Sequence, residues 1–201
     1  NVAAVLQNGS VLAMIPKTYL PNYGEFYEVR HFTAGNQAAE MYLTGGEKIP
    51  FGSEILLHCS DLPELVVGCE ICEDLWVSDT PATAHARAGA TVLVNLSASN
   101  ETVAKDEYRR MLVKATSARL LCGYLYADAG EGESTQELVF AGHNRIAENG
   151  TILAEARRYS NAAVYADLDV ARLAGERRRM NTFLPQSGQP YTVISFSLQQ
   201  Q

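Results

Sequence analysis

Cys72 and Lys17 are the side chains of this sequence best placed to do chemistry. Cys72 follows the apolar run LVVGCEI and precedes Glu73, Asp74, Leu75 and Trp76, ahead of a helix. A residue at such a strand-to-helix turn stands rigidly at a sheet edge, where sites are commonly built. A thiol there attacks only as the thiolate, which needs a positive charge nearby. The adjacent carboxylates of Glu73 and Asp74 oppose ionisation, so the charge has to come from elsewhere in the chain. Lys17 fits that need: Pro16 ends an apolar run and leaves Lys17 at its tip, before a polar loop rich in aromatics. Plainer readings stand beside this one, Lys17 as a solvated strand-end charge and Cys72 as a core thiol.

Cys69 and Cys72 also form a Cys-x-x-Cys pair, the spacing of half a zinc site or of a redox couple. Zinc wants a second pair, and Cys59, Cys122, His31, His58, His85 and His143 show no ligand spacing. A redox pair opens a helix, whereas Cys69 lies inside the apolar run. No metal is expected.

The elements that must position these residues read as one α/β domain. Apolar runs at 2–7 and 11–15 flank Asn8-Gly9, a hairpin signal. Residues 18–24 read as a loop, 25–31 as a short helix, and 33–50 carry no clear pattern. Strands are expected at 54–59 and 65–71. A helix over 81–89 has Pro near its start and Gly at its end. It is followed by a strand at 91–95, a helix over 103–121 and a strand at 121–127. A second hairpin joins 144–147 to 151–154 around Asn149-Gly150, and a last strand at 164–167 precedes a helix ending in Arg177-Arg178-Arg179, read as a solvated helix end. Residues 189–201 leave the pattern. Hairpins mixed with strand-helix-strand units predict an α/β sandwich with mixed sheets.

Composition bounds the functions. Of 201 residues, 47% are hydrophobic and 19% charged, with 15 Gly and 7 Pro, the profile of a folded globular chain. A net charge of -7 argues against nucleic-acid and anionic-membrane binding. No apolar run reaches the roughly 20 residues of a membrane span, and no N-terminal signal is seen, so a cytoplasmic location is expected. Four cysteines are too few for a disulfide scaffold.

Three segments, PKTYLPNYGEFYE, GCEICEDLW and NLSASNE, stand in the order and spacing of the nitrilase (carbon-nitrogen hydrolase) superfamily, and resemble most the glutaminase domain of glutamine-dependent NAD synthetases. The resemblance covers residues 1–185, a partial glutaminase domain, and implies a nitrilase-type α-β-β-α sandwich with its N-terminal part missing. Residues 186–201 are then an arm or linker towards an absent synthetase domain. The family uses a Glu-Lys-Cys triad, which makes Cys72 the nucleophile and Lys17 the group that stabilises the tetrahedral intermediate. The triad's Glu precedes the Lys in the family, and no residue of this chain inherits its role. Glu25 matches a second acidic position near the site, which implies a supporting hydrogen-bond role in the catalytic set, and is otherwise a helix-start carboxylate. Tyr23, Glu73 and Ser99 match residues that hold glutamine's amino group, Trp76 would wall the pocket, and Lys105 stands where an Arg is expected to meet the substrate carboxylate. The implied reaction is hydrolysis of glutamine through a cysteine thioester, with ammonia passed to an amidation in NAD biosynthesis. ATP and Mg are expected in the synthetase domain; this chain has no SGGxDS-like loop and no cofactor of its own is implied. Association into a homo-oligomer is expected. A stand-alone amidase of the same superfamily and an inactive, purely structural fragment are the alternatives.

Overall fold

A computed structural model describes residues 1–35, 39–133, 137–185 and 191–198. The first hairpin is β1 (Val2–Gln7) and β2 (Ser10–Pro16), closed by Asn8 and Gly9, both at positive φ. Residues 33–50 contain a second hairpin that the sequence does not announce, β3 (Glu40–Thr44) and β4 (Glu47–Phe51). Every residue of β3 is exposed, so no alternation of apolar and polar residues marks it. The local sign is Gly45-Gly46, both at positive φ in a two-residue turn. These strands form a mixed sheet in the order β1-β2-β4-β3, with β2 and β4 parallel.

The larger sheet is built from β5 (Ile55–Cys59), β6 (Val66–Ile71), β7 (Val92–Ser97), β8 (Gly123–Asp128), β9 (Arg145–Glu148), β10 (Thr151–Glu155) and β11 (Thr192–Phe196), in the order β10-β9-β8-β7-β6-β5-β11. Strands β6, β7 and β8 run parallel, and β5 and β9 pair antiparallel to their flanks. Helices α1 (Pro81–Ala88) and α2 (Lys105–Arg119) make the two crossovers. In α1, Pro81 opens the helix and Gly89 closes it at φ 123°. In α2, Arg109, Val113, Thr116 and Ser117 are the buried residues, spaced as one helix face.

Two apolar layers hold this together. Ala3, Ala13 and Ile15 of the small sheet meet Ile55, Leu57, Cys69 and Ile71 of the large one. On the other face, Leu56, Leu93 and Tyr124 pack with Ala82 and Ala86 of α1 and Val113 of α2. Because the large sheet is covered on both faces, β5 reads as a continuous apolar run rather than an alternating one. Gly68 is demanded here: a Cβ on it would lie 2.9 Å from the His85 Cβ of α1.

Four expectations are corrected. The helix expected at 25–31 is only a 3-10 turn, Glu28–Arg30, in a stretch of Phe and Tyr with no side-chain cap. Residues 164–167 join neither sheet and form no regular element before α3 (Val170–Arg179). Arg177 is not solvated: it donates to the carbonyls of Leu120 (2.8 Å) and Leu121 (3.1 Å) and stacks on Phe183, leaving Arg178 and Arg179 exposed. The C-terminal stretch does not wholly leave the body, since β11 adds to β5 in parallel with Thr192 opposite Ile55 and Phe196 opposite Cys59. Residues 186–190 and 199–201 of the expected arm lie outside the described residues.

Candidate active site

The exits of β2 and β6, far apart in sequence, are fastened together by Asp74. Its Oδ1 accepts the Tyr19 N–H at 2.8 Å, and its Oδ2 accepts the Ile71 N–H at 2.9 Å and the Thr18 N–H at 3.5 Å. Lys17 immediately precedes the two clamped residues of one strand exit, and Cys72 immediately follows the clamped residue of the other. Asp74 is therefore not a free charge beside the thiol. Burial raises its carboxyl above the usual aspartate range, against the three N–H groups and the charge of Lys17.

Cys72 begins a 3-10 turn, Cys72–Leu75, at φ 49°. That conformation is rare for a residue with a side chain and persists where the surroundings over-determine it. Its N–H donates to Asn95 Oδ1 at 3.1 Å. Burial pushes its thiol up; the ammonium of Lys17 and hydrogen bonds from Ala98 and Ser97 pull it down, and Glu28 opposes them. The opposing carboxylate is thus one reached through the fold, while Glu73 beside the cysteine accepts the Tyr23 hydroxyl at 2.6 Å.

Lys17 is 1% exposed, and both oxygens of Glu28 accept from its Nζ, at 2.8 and 2.7 Å. A buried ammonium is tolerated only when so paired. Glu25, three residues earlier, points elsewhere: its Oε1 accepts from Asn100 Nδ2, and Asn100 Oδ1 in turn accepts from Lys105 Nζ.

Seven of the eight residues singled out from the sequence, Tyr23, Glu25, Cys72, Glu73, Trp76, Ser99 and Lys105, line one cavity of about 420 Å³, and Glu28 lines it too. Lys17 lies outside it, lining a second cavity with Cys72 and Glu28. The first volume suits a small metabolite. Lys105 stands 5.1 Å over the Trp76 ring, and burial followed by repulsion from Arg109 lowers its pKa, against the charges of Cys72, Glu25 and Asp128. Ser99 is held from behind, accepting Arg109 Nη2 at 3.2 Å and donating its N–H to Asp128 Oδ1 at 3.0 Å. The arrangement offers a thiol, three carboxylates (Glu25, Glu28 and Glu73) and one partly desolvated cation around an aromatic wall, with the buried Lys17 lining the second cavity beside Cys72. It can bind a zwitterion of a few carbons and attack a carbonyl carbon in it.

The carbon-nitrogen hydrolase profile matches residues 2–178. The chain belongs to the carbon-nitrogen hydrolase family. It is 46% identical over 185 residues to glutamine-dependent NAD(+) synthetases of Mycobacterium bovis and Mycobacterium tuberculosis, covering 91% of this chain and 27% of theirs. Among solved structures, a glutamine-dependent NAD(+) synthetase from Cytophaga hutchinsonii superposes with a TM-score of 0.69 at 31% identity, over 82% of this chain and 26% of that one. A carbon-nitrogen hydrolase from Helicobacter pylori G27 shares the fold with a TM-score of 0.62 at 20% identity. The chain thus spans about a quarter of the length of its synthetase relatives.

In this carbon-nitrogen hydrolase, sequence reasoning missed Glu28, Asp74, Asn95, Asn100 and Arg109. Glu28, Asp74, Asn95 and Asn100 all lie inside the quoted motifs, which marked the segments without showing these residues' partners; Arg109 lies outside them. Arg109 acts from the buried face of a helix, where polarity without a visible partner was the single clue. Cys69 faces the small sheet in the inter-sheet core, away from the cavity. Among the described residues no group of three or more His, Cys, Asp or Glu side chains could hold a metal ion. Nor is any helix among them long and apolar enough to cross a membrane.

Proposed function

We propose that this chain hydrolyses the side-chain amide of glutamine through a thioester on Cys72, as the ammonia-producing part of a glutamine-dependent NAD synthetase. The observation that carries this reading is the convergence of Cys72 with Glu73, Lys105, Trp76 and Ser99 on one cavity. A free amino acid needs an anion for its ammonium, a cation for its carboxylate and an apolar wall for its methylenes. Glu73, steadied by Tyr23, supplies the anion; Lys105 supplies the cation and Trp76 the wall. The 46% identity to synthetases named for glutamine dependence supports the same substrate.

Cys72 Sγ attacks the amide carbon, and the carbonyl oxygen becomes an oxyanion. Lys17, held by both oxygens of Glu28, faces that charge together with the backbone N–H that follows Cys72. The carbon–nitrogen bond breaks as nitrogen takes a proton and leaves as ammonia. Water then cleaves the thioester, releasing glutamate and the thiol. Proton transfers fall to the family's base, a Glu that precedes the Lys in its sequences. The ammonia would serve an amidation using ATP and Mg elsewhere in the longer, homo-oligomeric cytoplasmic protein that this reading implies.

The test is intact mass after exposure to a diazo-ketone analogue of glutamine. One adduct, absent from Cys72→Ala and suppressed by glutamine, is the expected result. No adduct, or equal labelling of several cysteines, refutes the proposal.

A further inference from the structure

The strained Cys72 turn is held from the side away from the cavity. Asn95 Oδ1 accepts both the Cys72 N–H and, at 2.8 Å, the Ser97 hydroxyl. An asparagine amide can present either end to a neighbour, so something must choose. On the other side of Asn95, its Nδ2 faces Glu70 Oε1 at 3.4 Å. Glu70 and Asn95 are register partners across β6 and β7, and both side chains enter the helix-facing layer, where Glu70 is 1% exposed. Glu70 Oε1 also accepts the Tyr124 hydroxyl, and Oε2 accepts the Ala82 N–H at 3.0 Å. An ionised carboxylate only accepts, so it commits the NH2 of Asn95 to itself and the oxygen to the Cys72 turn.

We infer that Glu70, acting through Asn95, is a positioning residue for attack by Cys72: it selects the amide orientation that holds the Cys72 N–H and sets the turn whose next N–H meets the oxyanion. This rests on the reading of Cys72 as the nucleophile. A purely structural role competes with it, because the Ala82 contact caps α1, where Thr80 makes no side-chain cap. That role would move stability and leave the reactivity of Cys72 alone.

The orientation depends on ionisation. Burial pushes the Glu70 carboxyl up to about 7 and Asp74 adds to the push, while bonds from Tyr124, Ala82 and Asn95 resist it. The titratable groups around it are Asp74 of the 3-10 turn, Tyr124 of β8, Cys122 just before β8 and Cys69 of its own strand. From α1 it meets the Ala82 N–H, His85 being turned to the Cys69 carbonyl and Tyr191, and from β7 it meets the neutral Asn95. Once protonated, Glu70 has a donor of its own and no longer dictates the amide.

The experiment is the rate of Cys72 labelling by the diazo-ketone glutamine analogue, followed by intact mass through the neutral pH range, with thermal unfolding measured alongside. Parent, Glu70→Gln and Tyr124→Phe are compared. Glu70→Gln is expected to slow labelling about ten-fold, the weight of one hydrogen bond on a barrier, and to lose the near-neutral limb. Tyr124→Phe removes a bond that lowers the Glu70 carboxyl, so the limb should move to higher pH in a folded protein. A folded Glu70→Gln with the parent's rate and profile overturns the inference. If that variant does not fold, an unmoved limb in Tyr124→Phe overturns it instead. A parent without a selective Cys72 adduct refutes the nucleophile reading, and the inference with it; a labelled parent with indifferent variants refutes the inference alone.

Discussion

Asp74→Asn tests whether the site is assembled by one buried carboxylate. Asp74 accepts two short bonds on different oxygens, from Tyr19 N–H at 2.8 Å and Ile71 N–H at 2.9 Å. Asparagine offers one oxygen and one NH2 group, so either orientation sets a donor against one of these N–H groups. The loss is one charge-assisted bond, about 1.5–3 kcal/mol, together with a buried donor left unmet. Relief of the desolvation that raises the Asp74 carboxyl offsets part of it. The net expectation is destabilisation by about 1–3 kcal/mol, or a fall of roughly 3–10 °C in midpoint for a chain of this size. Chemical denaturation gives the free energy, and intact-mass labelling of Cys72 gives the effect on the site. Labelling should slow as well, because the lost bond is a tether between the Lys17 and Cys72 exits. Stability within about 0.5 kcal/mol of the parent, with unchanged labelling, would show that the strand exits are held by packing alone.

Lys17→Met removes the charge that favours the thiolate, so Cys72 labelling should fall about 100-fold or more, read by intact mass; a loss of only a few-fold would make Lys17 a structural cation. Glu73→Gln should weaken protection of Cys72 by glutamine about ten-fold while labelling by iodoacetamide stays level; equal protection would move the amino-group site away from Glu73. Burial lowers the His85 pKa to about 4 from 6.5, so the folded chain resists a proton that the unfolded chain binds. Stability on this account is intact above pH 6.5 and is lost as pH falls towards 4, by at most about 3 kcal/mol. Glu70 and Asp128, both raised by burial, act in the opposite sense over the same range. The measurement is therefore the difference between parent and His85→Gln unfolding curves with pH, which should narrow on acidification; a constant difference refutes the assignment.

The sequence by itself determined the elements whose signals are local. The Asn-Gly turns, Pro81 and Gly89 around α1, and the apolar runs of β5 to β8 specify their conformations through backbone sterics and burial on both faces of the large sheet. The three motifs likewise placed Cys72, Glu73, Trp76 and Ser99 near one another before any contact was known. What only the tertiary structure decided depends on partners distant in the chain. β3 has no buried face and left no periodic mark, while β11 becomes a strand because β5 offers a parallel edge. Whether an acidic residue is solvent-facing or structural was equally invisible: Glu25, Glu28, Glu70, Glu73 and Asp74 are the same chemistry in sequence. Glu28 meets a buried ammonium, Asp74 meets backbone N–H groups from two strand exits, and Glu70 meets an asparagine and a tyrosine. The role of a charge follows from what is buried beside it, and burial is a property of the folded chain.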